Sequence, residues 1–346
     1  MDFNDEARLD TSQVNDRRGG GGFGRGRGGG FGGGGFGGGG FGPGLGGGRG
    51  RRGAAIGGGG GLGALVLLGI LFFSGAFGGG DGGGSGDRGP TGSAPRTGSG
   101  PLTGAGGLSD EQLRRGGTTN TTDLATECRT GADADRSERC RVVALVNSVQ
   151  RYWASSFSSS QRPYRQAQTI LFSGRTQTGC GGATSAVGPF YCPADQKIYI
   201  DLTFFDELQS SYGANGGPFA QAYVIAHEYG HHVQNLTGVS SRVQRSGNQS
   251  GPQSPAVRLE LQADCYAGTW AANAQRSGFV TFTEADIRDG LSAASAVGDD
   301  RIQEKSQGRV TPESWTHGSA EQRTMWFLTG LRGGSPGVCD TFSGNL

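Results

Sequence analysis

The sequence predicts an α+β fold, mainly helical with a small sheet, carried by residues 108–346. Three observations predict it. Glycine crowds the start of the chain, with 46 of the 72 glycines in residues 1–107, so ordinary globular composition begins only after that point. Apolar periodicity then runs in the order helix, short strands, helices. Six cysteines, all beyond residue 127 and none in a CxxC pair, suggest disulfides in an oxidising compartment rather than metal knuckles.

The first 61 residues are expected to be a disordered tail. So few apolar side chains cannot offset the entropy of ordering that much glycine. The tail carries eight basic and five acidic residues, and the phenylalanines and RG steps of residues 19–61 are a composition that can bind single-stranded nucleic acid. Only Arg25 and Arg27 supply local charge within the repeat, so a flexible tail is the preferred reading and nucleic acid is not an expected partner. Residues 108–346, with 21 basic and 23 acidic residues, are not a polyanion binder on charge grounds.

Residues 62–77, LGALVLLGILFFSGAF, hold no charge, and Arg49, Arg51 and Arg52 precede them while Asp81 and Asp87 follow. A bilayer core needs about 20 helical residues, so flanking glycines are required to complete a crossing. Residues 62–80 are read as a single-pass anchor, with the N-terminus cytoplasmic and the following domain extracytoplasmic. A cleaved secretory signal, with Ser74 and Ala76 at the cleavage site, is the competing reading. Residues 81–107, rich in Gly, Ser, Pro and Thr, read as a flexible linker.

Within the domain, Val142, Val146, Val149 and Trp153 recur at helical spacing and predict a helix over 141–157. Residues 168–172 and 197–203 have strand character. Cys180 and Cys192 bracket a Gly/Pro turn between them, which a disulfide could staple as a hairpin. Helical patterns follow at 218–236, 255–275, 283–297 and 319–331. Six cysteines allow fifteen connectivities; Cys128 with Cys140, Cys180 with Cys192 and Cys265 with Cys339 are preferred, the first two because they are local.

Three of the four histidines fall within AHEYGHHVQ, at His227, His231 and His232. On a helix, the i and i+4 spacing of His227 and His231 stacks both imidazoles on one face, with Glu228 beside them. This HExxH arrangement can hold one Zn²⁺ per chain and present Glu228 to a metal-bound water. A third ligand is available from RLELQADCYAGTW, where Glu260 and Asp264 stand one turn apart on a mostly apolar helix. Glu260 completes a His₂Glu set, and Asp264 is placed to accept the outer N–H of a liganding imidazole. The bland alternative for such a carboxylate pair is a solvated face, which the apolar surroundings disfavour. His232 points about 100° away from the metal face and is assigned to packing or hydrogen bonding.

These residues resemble the putative neutral zinc metallopeptidases, membrane-anchored bacterial proteins of the gluzincin kind. The resemblance runs through TGCG, GPFYCPADQKIYIDLTFFDEL, FAQAYVIAHEYGHHVQ, LELQADCYAG, GDDRIQEKSQGRV and THGSAEQRTMWF, and weakly through VNDRRG at the start. It implies a zincin-like fold, zinc on His227, His231 and Glu260, Glu228 as base and Asp264 behind the ligands. It also implies that GPFYCPADQKIYIDL is the strand along which a substrate backbone lies. The fourth histidine, His317, is the best candidate to steady an oxyanion, with Tyr223 and Tyr229 as weaker ones; the resemblance to gluzincins with a similar Thr-His segment followed by Arg favours His317 and implies that Arg323 helps hold the site. A capping or surface role for His317, ahead of Ser319, is the alternative.

The expected function is therefore a membrane-anchored zinc endopeptidase acting on peptides or proteins. The rival from a different class is a catalytically latent, zinc-stabilised binding protein. A structural zinc usually has four protein ligands, whereas this set offers three and an intact Glu228.

Overall fold

The structure is a computed structural model and describes residues 1–18, 121–158, 160 and 163–346. The expected anchor (62–80) and linker (81–107) lie outside the described residues. Among the described residues, no helix is long and apolar enough to cross a membrane.

The strands are β1 (Asp2–Phe3), β2 (Val14–Asp16), β3 (Gln168–Phe172), β4 (Arg175–Thr178), β5 (Gly181–Thr184), β6 (Phe190–Cys192), β7 (Lys197–Asp201) and β8 (Val280–Thr281). The helices begin with α1 (Thr121–Glu127), α2 (Gly131–Arg136), α3 (Glu138–Ser156), α4 (Thr203–Ser210) and α5 (Pro218–Thr237). They continue with α6 (Val239–Gln244), α7 (Pro255–Asn273), α8 (Glu284–Ala296), α9 (Asp299–Gln307) and α10 (Ala320–Gly333). The α+β class holds.

The main sheet has the order β2-β3-β7-β6. β2, β3 and β7 run parallel and β6 closes the far side antiparallel to β7. Ile170, Leu171, Ile198 and Ile200 are completely buried, as strands covered on both faces require. The helical layer is centred on α5 and α7, whose residues are buried along most of their lengths. At their crossing a Cβ on Gly230 would lie 3.0 Å from the Ala263 Cα. The absence of a side chain at Gly230 therefore lets the helix bearing the two histidines approach the helix bearing Glu260.

Local chemistry sets the element ends. Pro218 and Pro255 open α5 and α7 at positions where their missing N–H costs nothing. Ser254 caps α7 by accepting the Val257 N–H, and Ser319 with Gln322 forms a capping box on α10. Gly238 ends α5 in the left-handed region, at φ +80°.

Several expectations are corrected. Residues 1–18 are not part of a disordered tail: they carry β1 and β2, and Val14 is completely buried in the sheet. The expected strand over 197–203 stops at Asp201. The Asp201 carboxylate accepts the Thr203 N–H at 3.2 Å and its hydroxyl at 3.0 Å, turning the chain into α4. Cys180 and Cys192 do not flank a hairpin turn; the hairpin is β4–β5, with Cys180 at its tip, and the disulfide ties that tip to β6. The other two bonds join Cys128 to Cys140 and Cys265 to Cys339, and no free cysteine remains among the described residues.

Candidate metal centre

His227 and His231 lie one turn apart on α5, and Glu260 projects from α7; all three are buried. Their ligand atoms converge. His227 Nε2 is 3.1 Å from His231 Nε2 and 3.2 Å from Glu260 Oε2, and His231 Nε2 is 3.4 Å from Glu260 Oε1. Taking one ligand atom from each residue, all three lie within 4.8 Å of one another, and the two imidazole nitrogens have the spacing of about 3.3 Å that a tetrahedral ion bound at about 2.0–2.1 Å requires. This is the one group of three or more metal-type side chains among the described residues.

The outer ring nitrogens explain why both Nε2 atoms are available. His227 Nδ1 stands 2.8 Å from Asp264 Oδ1 and His231 Nδ1 stands 2.8 Å from Gln234 Oε1. Each acceptor holds the ring proton on Nδ1, leaving the Nε2 lone pair facing inward. Three lone-pair donors in one buried triangle need a positive charge between them. A proton on His227 can answer the same demand in place of a metal: burial disfavours the charged ring, yet the charge and hydrogen bond of Asp264, with Glu260, raise its pKa to about 10. Burial would raise the Glu260 carboxyl, but His231, His317 and His227 hold it well below the ordinary value.

Asp264 is completely buried and takes four contacts. Arg323 grips it with two hydrogen bonds, Nε to Oδ2 at 2.9 Å and Nη2 to Oδ1 at 3.0 Å, while the Tyr223 hydroxyl donates to Oδ1 at 2.5 Å. Against the cost of burial, Arg323 and His227 keep Asp264 ionised. The Tyr223 hydroxyl is thus committed to Asp264. Tyr229 faces elsewhere, its hydroxyl sharing a hydrogen bond with Thr169 at 3.0 Å.

Glu228 lines the same cleft as the three ligands, together with His317 and Tyr191 of β6. Burial raises its pKa, His231 and His227 oppose that rise, and the Tyr191 backbone N–H donates to its carboxylate. A carboxyl raised in this way is a better proton acceptor than an exposed glutamate.

His317 comes from the loop before α10. The Asp299 Oδ2 at the start of α9 accepts the backbone N–H of Thr316 (2.7 Å), His317 (2.7 Å) and Gly318 (3.1 Å). Its Oδ1 faces His317 Nδ1 at 3.4 Å. Burial disfavours the His317 cation, but Glu260 and Asp299 outweigh it and raise its pKa.

The structure thus brings together every residue singled out for the centre: His227, Glu228, His231, Glu260, Asp264, His317 and Arg323. Two further residues were not picked out. Gln234 is completely buried, and its amide nitrogen is fixed by the Leu259 carbonyl at 2.7 Å and Gln262 Oε1 at 3.2 Å, which aims its oxygen at His231. Its i+3 spacing from His231 is the signal that could have found it. Asp299 had no such signal, being 18 residues from His317 in an acidic pair. His232 makes hydrogen bonds with the Tyr191 hydroxyl (3.1 Å) and the Arg165 carbonyl (2.6 Å), and burial lowers its pKa to about 4.

A helix bearing two histidines, crossed by a second helix bearing a carboxylate, makes a three-donor site that could hold a metal ion. Residues 102–342 match the putative neutral zinc metallopeptidase family, and the chain belongs to that family. An uncharacterized protein of Mycobacterium tuberculosis is 53% identical over 225 residues, covering 63% of this chain and 75% of the relative. A protein of Mycobacterium bovis matches to the same extent. The uncharacterized protein YpfJ of Escherichia coli is 44% identical over 205 residues, covering 58% of this chain and 70% of the relative. No solved structure matches the chain.

Proposed function

We propose that this protein is a zinc-dependent endopeptidase, with one ion held by His227, His231 and Glu260 and with Glu228 as the general base. The observation that carries this reading is the convergence of His227, His231 and the Glu260 carboxylate, with ligand atoms within 4.8 Å of one another and Glu228 in the same cleft. A bound zinc ion supplies Lewis acidity toward the scissile carbonyl and an activated water.

The chain's own groups do the rest. Glu228, on the same helix as two ligands and with its pKa raised by burial, takes the proton from the attacking water and returns it to the leaving amine. His317, pinned by Asp299 and raised in pKa, donates to the oxygen that gains charge. Asp264 and Arg323 fix the His227 ring. The cleft is bordered by Gly188, Pro189, Phe190 and Tyr191, and β6 is the end strand of its sheet. A peptide backbone can add to that edge, which favours reading backbone over side chain.

The domain's location is part of the proposal. Three disulfides among the described residues support an oxidising, extracytoplasmic compartment, and residues 62–80 are the candidate for attachment to a membrane. The test of the chemistry is Glu228→Gln, which should retain one zinc per chain and lose hydrolysis, while His231→Ala should lose both. Full hydrolysis by Glu228→Gln would remove Glu228 from the mechanism.

A further inference from the structure

A single crossing by residues 62–77 would put residues 1–18 and the metal centre on opposite faces of a membrane. The fold joins what that crossing would separate. β2 pairs in parallel with β3 in the register Val14↔Thr169, Asn15↔Ile170 and Asp16↔Leu171. The Arg17 N–H continues the ladder to the Leu171 carbonyl at 2.8 Å.

The rest of the domain is shaped to receive this segment. Asn147 of α3 reads the Asp10 backbone in both directions: its Nδ2 donates to the Asp10 carbonyl at 3.0 Å and its Oδ1 accepts the Asp10 N–H at 2.8 Å. Gln150, completely buried on the same helix, donates to the Gln13 side chain at 3.0 Å. Arg139 donates to the buried Asp16 carboxylate at 3.2 Å. At α2, a Cβ on Gly131 would stand 2.0 Å from the Asn4 carbonyl oxygen, so the absence of a side chain there accommodates the segment's backbone. The Gly131 N–H also donates to the Ala7 carbonyl, and the Leu9 N–H to the Arg129 carbonyl. Without residues 1–18, the β3 edge and buried amides on α3 would lose their partners, an arrangement that folded proteins avoid.

We propose that the β3 edge and the polar side of α3 form a receptor for residues 1–18, and that this segment therefore lies on the same side of any membrane as the metal centre. The mode is strand addition to a sheet edge. The side is fixed whether the strand comes from the same chain or from a second copy. The N-terminus shares the domain's compartment, in place of the cytoplasmic location that charge asymmetry alone suggests. This inference is independent of whether the site hydrolyses peptides.

The test uses the full-length protein in intact cells, with single cysteines introduced at two exposed positions, Asp5→Cys and Ser343→Cys. Each is treated with a membrane-impermeant maleimide before and after solubilisation. The expected result is the same outcome at both positions. Labelling of one with protection of the other would overturn the proposal. Protection of both would leave it standing and would instead contradict the extracytoplasmic location proposed above. In the purified full-length protein, the amides of residues 14–17 should exchange at least tenfold more slowly than an unstructured peptide. Asn147→Ala should erase most of that protection while leaving α5 unchanged. Unprotected amides at 14–17 in the wild type would refute the receptor.

Discussion

Replacing Gln234 with leucine removes the acceptor on which the outer nitrogen of His231 rests. The perturbation is nearly isosteric, so its effect is chemical. The His231 Nδ1 loses its partner at 2.8 Å, and the Leu259 carbonyl and Gln262 side chain lose the amide that donates to them. A neutral hydrogen bond contributes about 0.5–1.5 kcal/mol, and a buried polar group left unpaired costs about 1–3 kcal/mol. The part that falls on His231 acts on zinc affinity, because the ring is no longer held with Nε2 inward; such partners govern about 10–100-fold in metal affinity, or about 1.4–2.7 kcal/mol. The assay is competition for zinc against a chromophoric chelator at neutral pH, with thermal unfolding of the zinc-free protein alongside. Gln234→Leu should weaken zinc binding by about 10–100-fold. Gln234→Glu, which still offers an oxygen to His231, should keep more of the affinity while losing stability through a buried carboxylate beside the Leu259 carbonyl. Unchanged zinc affinity in Gln234→Leu would refute the argument that Gln234 orients a ligand.

Three further outcomes follow from the same geometry. Asp299→Asn keeps an acceptor for the three backbone N–H groups but removes the charge facing His317; its raised pKa should fall, moving the alkaline limb of kcat/KM to lower pH with KM unchanged. An unmoved limb would separate His317 from the reaction. Burial works against the Asp16 carboxylate, yet Arg18 and Arg139 hold its pKa below the ordinary 3.8, so its contribution to stability is present at neutral pH and lost as pH falls through that lowered value. The stability difference between wild type and Asp16→Asn should therefore be roughly 1–3 kcal/mol at pH 7 and vanish in acid; a difference that grows in acid would contradict the sign. Removing the Cys265–Cys339 bond, which closes a 74-residue separation, should cost about 4 kcal/mol against about 3 for the 12-residue Cys180–Cys192 loop. Chemical denaturation of the two double-alanine variants checks the order, and the reverse order would show that loop closure does not govern it.

The strongly periodic segments were legible because periodicity and end signals agree in them. α5 and α7 start at their prolines, and β3 occupies the same residues as the apolar run that predicted it. The ligands were legible because HExxH states a spacing whose meaning is fixed by helix geometry. What escaped has a physical reason in each case. α9, DDRIQEKSQ, has Ile302 as its one aliphatic side chain, and what holds it is Asp299 reaching the loop of His317 rather than an apolar stripe. α4 follows strand-like residues without a break, and its start depends on the Asp201 side chain accepting from Thr203. β2 has only three residues, VND, ahead of a glycine run. Its order comes from contacts with Arg139 and β3, and that of the residues just before it from Asn147, all more than a hundred residues away, which local composition cannot report.

The most direct test of the central claim is zinc-dependent cleavage of a mixed-peptide library by the purified full-length protein, compared with Glu228→Gln and with a chelator-treated sample. The account predicts one zinc per chain in the wild type and in Glu228→Gln, with cleavage by the wild type alone. Cleavage that survives either the Glu228→Gln exchange or removal of the metal would contradict it.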